Sequence, residues 1–138
     1  MKIPDSFILV DDDPTNNMIS GFVLERLFPG LVIESFTIPE QALEAIKEKK
    51  EQAKNASFVL FLDINMPSMT GWEFLDEFKD LSEEIHNCIT IYILSSSVNE
   101  SDKEKAESNP FVSGFLSKPL QEDILNQIFN GKFNLKLA

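Results

Sequence analysis

The chain predicts an α/β domain in three layers, with a five-stranded parallel sheet between two sets of helices. Three observations carry that expectation. Short apolar runs alternate with longer amphipathic stretches along the whole chain, the pattern of repeated βα units. One run, Phe58-Val59-Leu60-Phe61-Leu62, is apolar at every position, as a strand covered on both faces requires. The 138 residues, 43% of them hydrophobic, suffice for one domain with a substantial core.

Each element has its own signal. Strand one is expected over Ser6–Val10, followed by the loop Asp13-Pro14-Thr15, with Thr15 as candidate N-cap. Helix one then carries Met18, Phe22, Val23, Leu24 and Leu27, mostly at helical spacing, and Phe28-Pro29-Gly30 stops it. Strand two spans about Leu31–Phe36. Helix two starts near Pro39, shows Ala42, Leu43 and Ile46, and runs into the charged stretch Lys47–Lys54, which reads as a solvated helix face or extended helix end. Strand three is Phe58–Leu62. Helix three, Thr70–Leu81, turns Phe74, Leu75, Phe78 and Leu81 inward. Strand four covers Thr90–Leu94. Helix four, about Asn99–Glu107, is weakly apolar, and Asn109-Pro110 ends it. Strand five covers Gly114–Ser117. Helix five, Gln121–Phe129, uses Ile124, Leu125 and Ile128. The core thus runs over about 6–130. In the tail 131–138, Phe133, Leu135 and Leu137 alternate with polar residues, a pattern suited to docking or pairing.

Composition removes several function classes. A net charge of -11 argues against binding nucleic acid or an anionic membrane through bulk charge. Cys88 is the single cysteine, so no intrachain disulfide forms and a cytoplasmic setting fits. It reads as a plain small residue near a strand start. His86 has no second histidine or cysteine at zinc spacing and reads as surface loop. No apolar run approaches the ~20 residues of a membrane span, and the N-terminus lacks a signal-peptide pattern.

The apolar runs end on polar landmarks. Asp11 and Asp12 follow strand one, Asp63 strand three and Ser95 strand four, while Lys118 follows strand five and precedes Pro119. In a parallel sheet these residues share one edge. Right-handed crossovers restrict the topology, and a flavodoxin-like order, 2-1-3-4-5, places strands one and three together at the switch point. Asp11, Asp12 and Asp63 then flank one crevice, although the sequence alone leaves the order open. Adjacent carboxylates repel unless a cation is present, and hard oxygen ligands suit Mg²⁺. Taken alone, Asp11-Asp12-Asp13-Pro14 reads equally as a solvated turn capping helix one. Asp63, at the mouth of the core, is harder to dismiss. A carboxylate can attack phosphorus to give an acyl phosphate, a reaction governed by charge neutralisation at the phosphoryl oxygens, which Mg²⁺ and Lys118 would supply. Asn65-Met66-Pro67 turns the chain, and Gly71 offers backbone freedom before helix three. Singly, Ser95 and Lys118 read as ordinary strand-end residues; their joint arrangement carries the argument.

Four segments in register resemble the receiver domain of two-component response regulators. They are Ile8-Leu9-Val10-Asp11-Asp12-Asp13-Pro14, Leu62-Asp63-Ile64-Asn65-Met66-Pro67 with Gly71, Leu94-Ser95-Ser96, and Gly114-Phe115-Leu116-Ser117-Lys118-Pro119. The resemblance covers nearly the whole chain. It implies Asp63 as phosphoacceptor and metal ligand, Asp12 as direct metal ligand and Asp11 as its acidic partner. It implies a backbone carbonyl from Asn65 to Mg²⁺, Ser95 as switch hydroxyl, Lys118 as the strand-five lysine and Phe115 as aromatic switch. Phe115 reads equally as a plain core aromatic, because it lacks a tyrosine hydroxyl. Asn65 and Ser97 match positions that tune the lifetime of the phosphorylated state. The implied phosphodonor is a histidine kinase or histidine phosphotransfer protein. The implied output is a target-binding face on helix four, strand five and helix five, in a stand-alone receiver over 1–138 without an output domain.

Two segments depart from the family pattern, a long connection around Lys47–Ser57 and Asn109-Pro110-Phe111-Val112 before strand five. Competing readings are an unphosphorylated pseudo-receiver scaffold and an aspartate-nucleophile phosphatase. The phosphatase wants a second Asp two residues after the nucleophile, where this chain has Asn65, and leaves little chain for a cap. A flavin-binding relative lacks its phosphate loop after strand one.

Overall fold

The computed structural model describes residues 2–51, 54–97 and 99–130. In chain order the elements are β1 (Ser6–Val10), α1 (Pro14–Leu27), β2 (Val32–Phe36), α2 (Pro39–Lys47), a 3₁₀ turn (Glu48–Glu51), β3 (Phe58–Leu62), α3 (Gly71–Lys79), α4 (Glu83–Cys88), β4 (Ile89–Ser95), α5 (Glu100–Ser108), β5 (Val112–Ser117) and α6 (Glu122–Asn130). All strand pairs are parallel and the order is β2-β1-β3-β4-β5. The flavodoxin-like order expected at the switch point is therefore the observed one.

Side-chain alternation along the strands divides the core in two. Phe7, Leu9, Val59, Phe61, Tyr92 and Leu94 face α1 and α6, where Leu24, Leu125 and Ile128 close over them. Ile8, Val10, Leu60, Leu62, Ile91 and Ile93 face the opposite layer, with Ala42, Leu43 and Ile46 of α2, Phe74, Leu75 and Phe78 of α3, and Ala106 of α5. β1 and β3 are buried at every residue, so register slips are opposed on both faces. This rigidity fixes the strand ends.

Several local expectations need correction. The N-cap of α1 is Asp13, whose carboxylate accepts from the Thr15 amide. Pro14 already occupies the first helical turn, where its missing N–H costs nothing, so Thr15 lies inside the helix. Met18 and Phe22 are exposed; α1 buries Asn17, Ser20 and Leu24 instead. Helical spacing in this helix therefore gave two competing faces. A sixth helix, α4, occupies the stretch that read as loop. His86 in it is half-buried, 2.7 Å from the Phe78 carbonyl and packed between Phe78 and Phe111. Strand five begins at Val112, two residues before Gly114. α3 ends at Lys79, with Leu81 packed just beyond it. Cys88 is buried and immediately precedes β4, as expected. Phe133, Leu135 and Leu137 lie outside the described residues.

The charged stretch after α2 is only partly solvated. Lys49 is buried, 2.8 Å from Glu34 and 4.9 Å from the Phe58 ring centroid. Its ammonium neutralises a carboxylate on β2 that would otherwise sit half-buried. Removing one partner of such a pair strands the other charge, whereas the exposed Lys47–Glu44 pair contributes little. Because Glu34 is only half-buried, Lys49→Ala is expected to lower unfolding free energy by about 3 kcal/mol, the low end for breaking a buried pair. Lys47→Ala should change it by less than about 0.5 kcal/mol. Urea unfolding of both variants measures the difference.

Candidate functional site

The site is the edge of the sheet one residue beyond its strands. The Asp11 amide donates to the Phe36 carbonyl, the Asp63 amide to the Val10 carbonyl and the Lys118 amide to the Ser95 carbonyl, at 3.1, 2.9 and 2.8 Å. Each bond continues the parallel ladder past the last strand residue. The functional side chains are thus mounted on backbone held by two neighbouring strands.

Asp11, Asp12 and Asp63 bring carboxylate oxygens within 4.8 Å of one another. Asp11 and Asp63 are each 5% exposed, while Asp12 is exposed. The Lys118 ammonium lies 2.6 Å from Asp11 Oδ2 and 3.5 Å from Asp63 Oδ1. It joins β5 to the crevice between β1 and β3. The Lys118–Pro119 peptide bond is cis. The Asp13 amide donates to Asp11 Oδ1 and the Asn65 amide to Asp63 Oδ1. Among the described residues, no hydrogen bond engages Asp63 Oδ2.

This arrangement costs free energy. Burial raises the Asp63 pKa above its ordinary value, and the Asp11 carboxylate pushes it further in the same direction. The Asn65 amide and the Lys118 ammonium oppose both effects without cancelling them. A group that is desolvated, crowded by like charge and still solvent-reachable through a neighbouring exposed carboxylate is suited to bind a cation or react. The oxygen set fits a hard divalent ion such as Mg²⁺, which keeps part of its water shell.

Ser95 is fully buried at the end of β4. Its hydroxyl is engaged away from the carboxylates: it donates to the Ser97 carbonyl at 2.9 Å and accepts from the Ser97 amide. Phe115 is half-buried against the core layer that holds α2, α3 and α5, and is not part of the carboxylate cluster. The structure therefore brings Asp11, Asp12, Asp63 and Lys118 together, with the Asn65 backbone beside them. Ser95 is linked to Lys118 through backbone.

One supporting residue was missed by sequence reasoning, and a second has a different role from the one expected. Asn17 is buried and donates to the carbonyls of Asp11 and Phe36 at 3.2 and 3.1 Å, tying α1 to the ends of β1 and β2. An asparagine inside an apolar helix pattern is a weak signal for such a clamp. Gly71 was expected to supply backbone freedom, but its φ is not positive; the positive φ belongs to Gly30. Its role is space. A Cβ there would lie 2.7 Å from Ile64 Cα and 2.8 Å from the Asp63 carbonyl oxygen. The Gly71 amide donates to the Ile64 carbonyl at 3.1 Å, so α3 starts hard against the loop that carries Asp63.

The raised Asp63 pKa has a consequence for stability. The folded state holds this proton more tightly than the unfolded chain, so protonation favours folding. That contribution is present in full below the unfolded value near 3.8 and is lost as pH rises through the folded value. At neutral pH the ionised carboxylate is therefore destabilising. Asp63→Asn should be more stable than wild type at pH 7 without added metal, and the gap should narrow as pH falls toward 4. Urea midpoints across that range give the sign.

Comparison with known proteins agrees with the geometry. Residues 7–130 match the family described as the response regulator receiver domain. A two-component response regulator of Oryza sativa subsp. japonica is 28% identical over 128 residues, covering 89% of this chain and 53% of the relative. A stress response regulator protein of Scheffersomyces stipitis is 30% identical over 91 residues, covering 66% of this chain and 29% of the relative. The chain thus spans about half or less of the curated relatives it matches. The crystal structure of a two-component response regulator from Cytophaga hutchinsonii aligns with TM-score 0.83 and 32% identity, covering 95% of this chain and 97% of that one. A response regulator receiver protein from Dyadobacter fermentans aligns with TM-score 0.81 and 28% identity, covering 91% and 95%. The order of the strands, the acidic crevice and the family match lead to one conclusion: the chain belongs to the receiver-domain family of two-component response regulators.

Proposed function

We propose that this receiver is a phosphorylation-switched signalling module, with Asp63 accepting a phosphoryl group from a histidine kinase or histidine phosphotransfer protein. The observation that carries the reading is the Lys118 ammonium set between Asp11 and the desolvated Asp63. A nucleophilic carboxylate needs positive charge at hand as phosphoryl oxygens approach. Asp11, Asp12 and Asp63, with the Asn65 carbonyl, would hold Mg²⁺. When bound, the ion supplies further positive charge to those oxygens.

In the transfer, an Asp63 carboxylate oxygen forms a bond to phosphorus as the bond from phosphorus to the donor's imidazole nitrogen breaks. The imidazole takes a proton from solvent and leaves neutral. Lys118 moves from neutralising Asp63 to pairing with the new phosphoryl group, and Asp11 holds the ammonium nearby. The Ser95 hydroxyl exchanges its Ser97 partner for a phosphoryl oxygen. Hydrolysis reverses the state: water adds to phosphorus, the Asp63 oxygen–phosphorus bond breaks, and inorganic phosphate departs.

Output follows from the position of Ser95. Its movement frees space at the end of β4, into which Phe115 of the adjacent β5 turns. That biases the face made by α5, β5 and α6, the expected fourth helix, fifth strand and fifth helix, between two arrangements. A downstream protein target reads that face. The receiver unit covers 1–138, with its core at about 6–130, and works in the cytoplasm. Among the described residues no helix is long and apolar enough to cross a membrane, which is compatible with that setting.

Incubation with acetyl phosphate and Mg²⁺, followed by intact-mass measurement, tests the reading. Wild type should gain a single phosphoryl adduct, and the gain should need the metal. Lys118→Ala should slow adduct formation at least tenfold, as expected for loss of a charge that acts in the transition state. Folded protein that binds Mg²⁺ yet gains no adduct from acetyl phosphate or a phosphorylated phosphotransfer protein would be a scaffold instead.

A further inference from the structure

We propose that Asn17 is a positioning residue of the metal site: its side-chain amide holds the peptide unit on which Asp12 is mounted, and so sets the affinity for Mg²⁺. The inference rests on the reading of Asp11, Asp12 and Asp63 as a Mg²⁺ site. It does not need phosphoryl transfer.

The helix brings Asn17 to the strand ends. α1 links the parallel strands β1 and β2, so it runs back along the sheet and its first turns lie over the ends of the strands. Its buried stripe is Asn17, Ser20 and Leu24, at the spacing of one helix face. Leu24, farther along, belongs to the apolar layer with Phe7 and Leu9. Asn17 is 6% exposed. Its side-chain nitrogen donates to the Asp11 carbonyl at 3.2 Å and to the Phe36 carbonyl at 3.1 Å. Two carbonyl acceptors require the NH₂ end of the amide and engage both of its hydrogens. The Asp11 carbonyl lies past the last residue of β1, where a buried acceptor needs a donor from outside the ladder.

The consequence falls on Asp12. The Asp11 carbonyl and the Asp12 amide belong to one planar unit, so a tie on the carbonyl orients the bond that enters Asp12. The far side of Asp12 is held separately. The Asp13 amide donates to Asp11 Oδ1 at 2.9 Å, and the Asp13 carbonyl accepts from the Asn17 backbone amide at 3.3 Å. The carboxylates of Asp11 and Asp63 have their own restraints in Lys118 and in the amides of Asp13 and Asn65. Asp12 is exposed, and among the described residues no hydrogen bond engages its carboxylate. Its place in the acidic cluster is therefore set by its backbone, and Asn17 holds that backbone. Groups that orient a ligand without touching the ion control metal affinity by about ten- to a hundredfold.

The test is titration of the full chain with MgCl₂, followed through backbone amide signals by nuclear magnetic resonance. Asn17→Ala removes the donor at no cost in helix propensity. Asn17→Ser is the second variant, because its hydroxyl can bond the carbonyl four residues back but not the strand ends. Both should weaken the Mg²⁺ Kd of the folded protein at least about tenfold. In reactions with acetyl phosphate, the Mg²⁺ concentration giving half the maximal rate should rise in proportion, while the rate at saturating Mg²⁺ stays within about threefold of wild type. Leu24→Val, a core truncation in the same helix, should lower the urea midpoint yet leave the Mg²⁺ Kd within about twofold. Folded Asn17→Ala or Asn17→Ser with wild-type Mg²⁺ affinity would overturn the inference. An equal loss of affinity in Leu24→Val would also overturn it, by tracing the effect to helix packing at large. Wild type that binds no Mg²⁺ would remove both this inference and the metal site. The Kd comparison holds whether or not an adduct forms, so failed phosphoryl transfer would strike the proposed function and not the role of Asn17.

Discussion

Three carboxylates held within 4.8 Å of one another, with one ammonium among them, are the constraint on which the rest of the structure depends. Like charges at that spacing separate unless something prevents it. Here the restraint is the sheet. The amides of Asp11, Asp63 and Lys118 each extend a ladder between neighbouring strands. The backbones that carry Asp11 and Asp63 therefore cannot move apart without breaking those bonds. The Asn17 side chain, donating to two carbonyls at the same edge, adds a tie from the helix above.

The two cores supply the stiffness. β1 and β3 carry the acids and are buried on both faces, so neither strand can shift or twist without opening a packed layer. Gly71 transmits the same constraint to the Asp63 loop, because α3 starts against Ile64 with no room for a methyl group. The periphery is built differently. β2 at one edge and β5 at the other have exposed positions, and α5 buries a single alanine. A rigid centre and a lightly packed margin fit the proposed division between a fixed chemical site and a surface with two arrangements.

Much of this was legible from residue order, for identifiable reasons. Asp63 follows a strand apolar at every position, so its location at the mouth of the core follows from strand period alone. Lys118 before proline and Ser95 after a second apolar run follow in the same way. What escaped depended on neighbours distant in sequence. Lys49 lies in a charged run that reads as solvated, yet Glu34 and Phe58 bury it. Helix α4 is six residues long and mixed in polarity, too short to show a period. Met18 and Phe22 fit a helical stripe, but the buried stripe of α1 passes through Asn17, Ser20 and Leu24. Leu24 is buried and Val23 and Leu27 pack beside it, as the spacing predicts, but Asn17 on the same face ties the strand ends, so only part of the apolar stripe faces the core. The Ser95 hydroxyl was placed at the right strand end, while its partnership with Ser97 is a property of the loop.

The claim at the centre of this account is that Asp63, among the clustered acids, is the atom source for the acyl phosphate. Borohydride reduction distinguishes it from its neighbours, because an aspartyl phosphate is reduced to homoserine while free carboxylates are left intact. Protein treated with acetyl phosphate and Mg²⁺, reduced and digested, should carry homoserine at position 63 and aspartate at positions 11 and 12. Homoserine at position 11 or 12, or a phosphoryl group stable to reduction on a serine, would contradict the account.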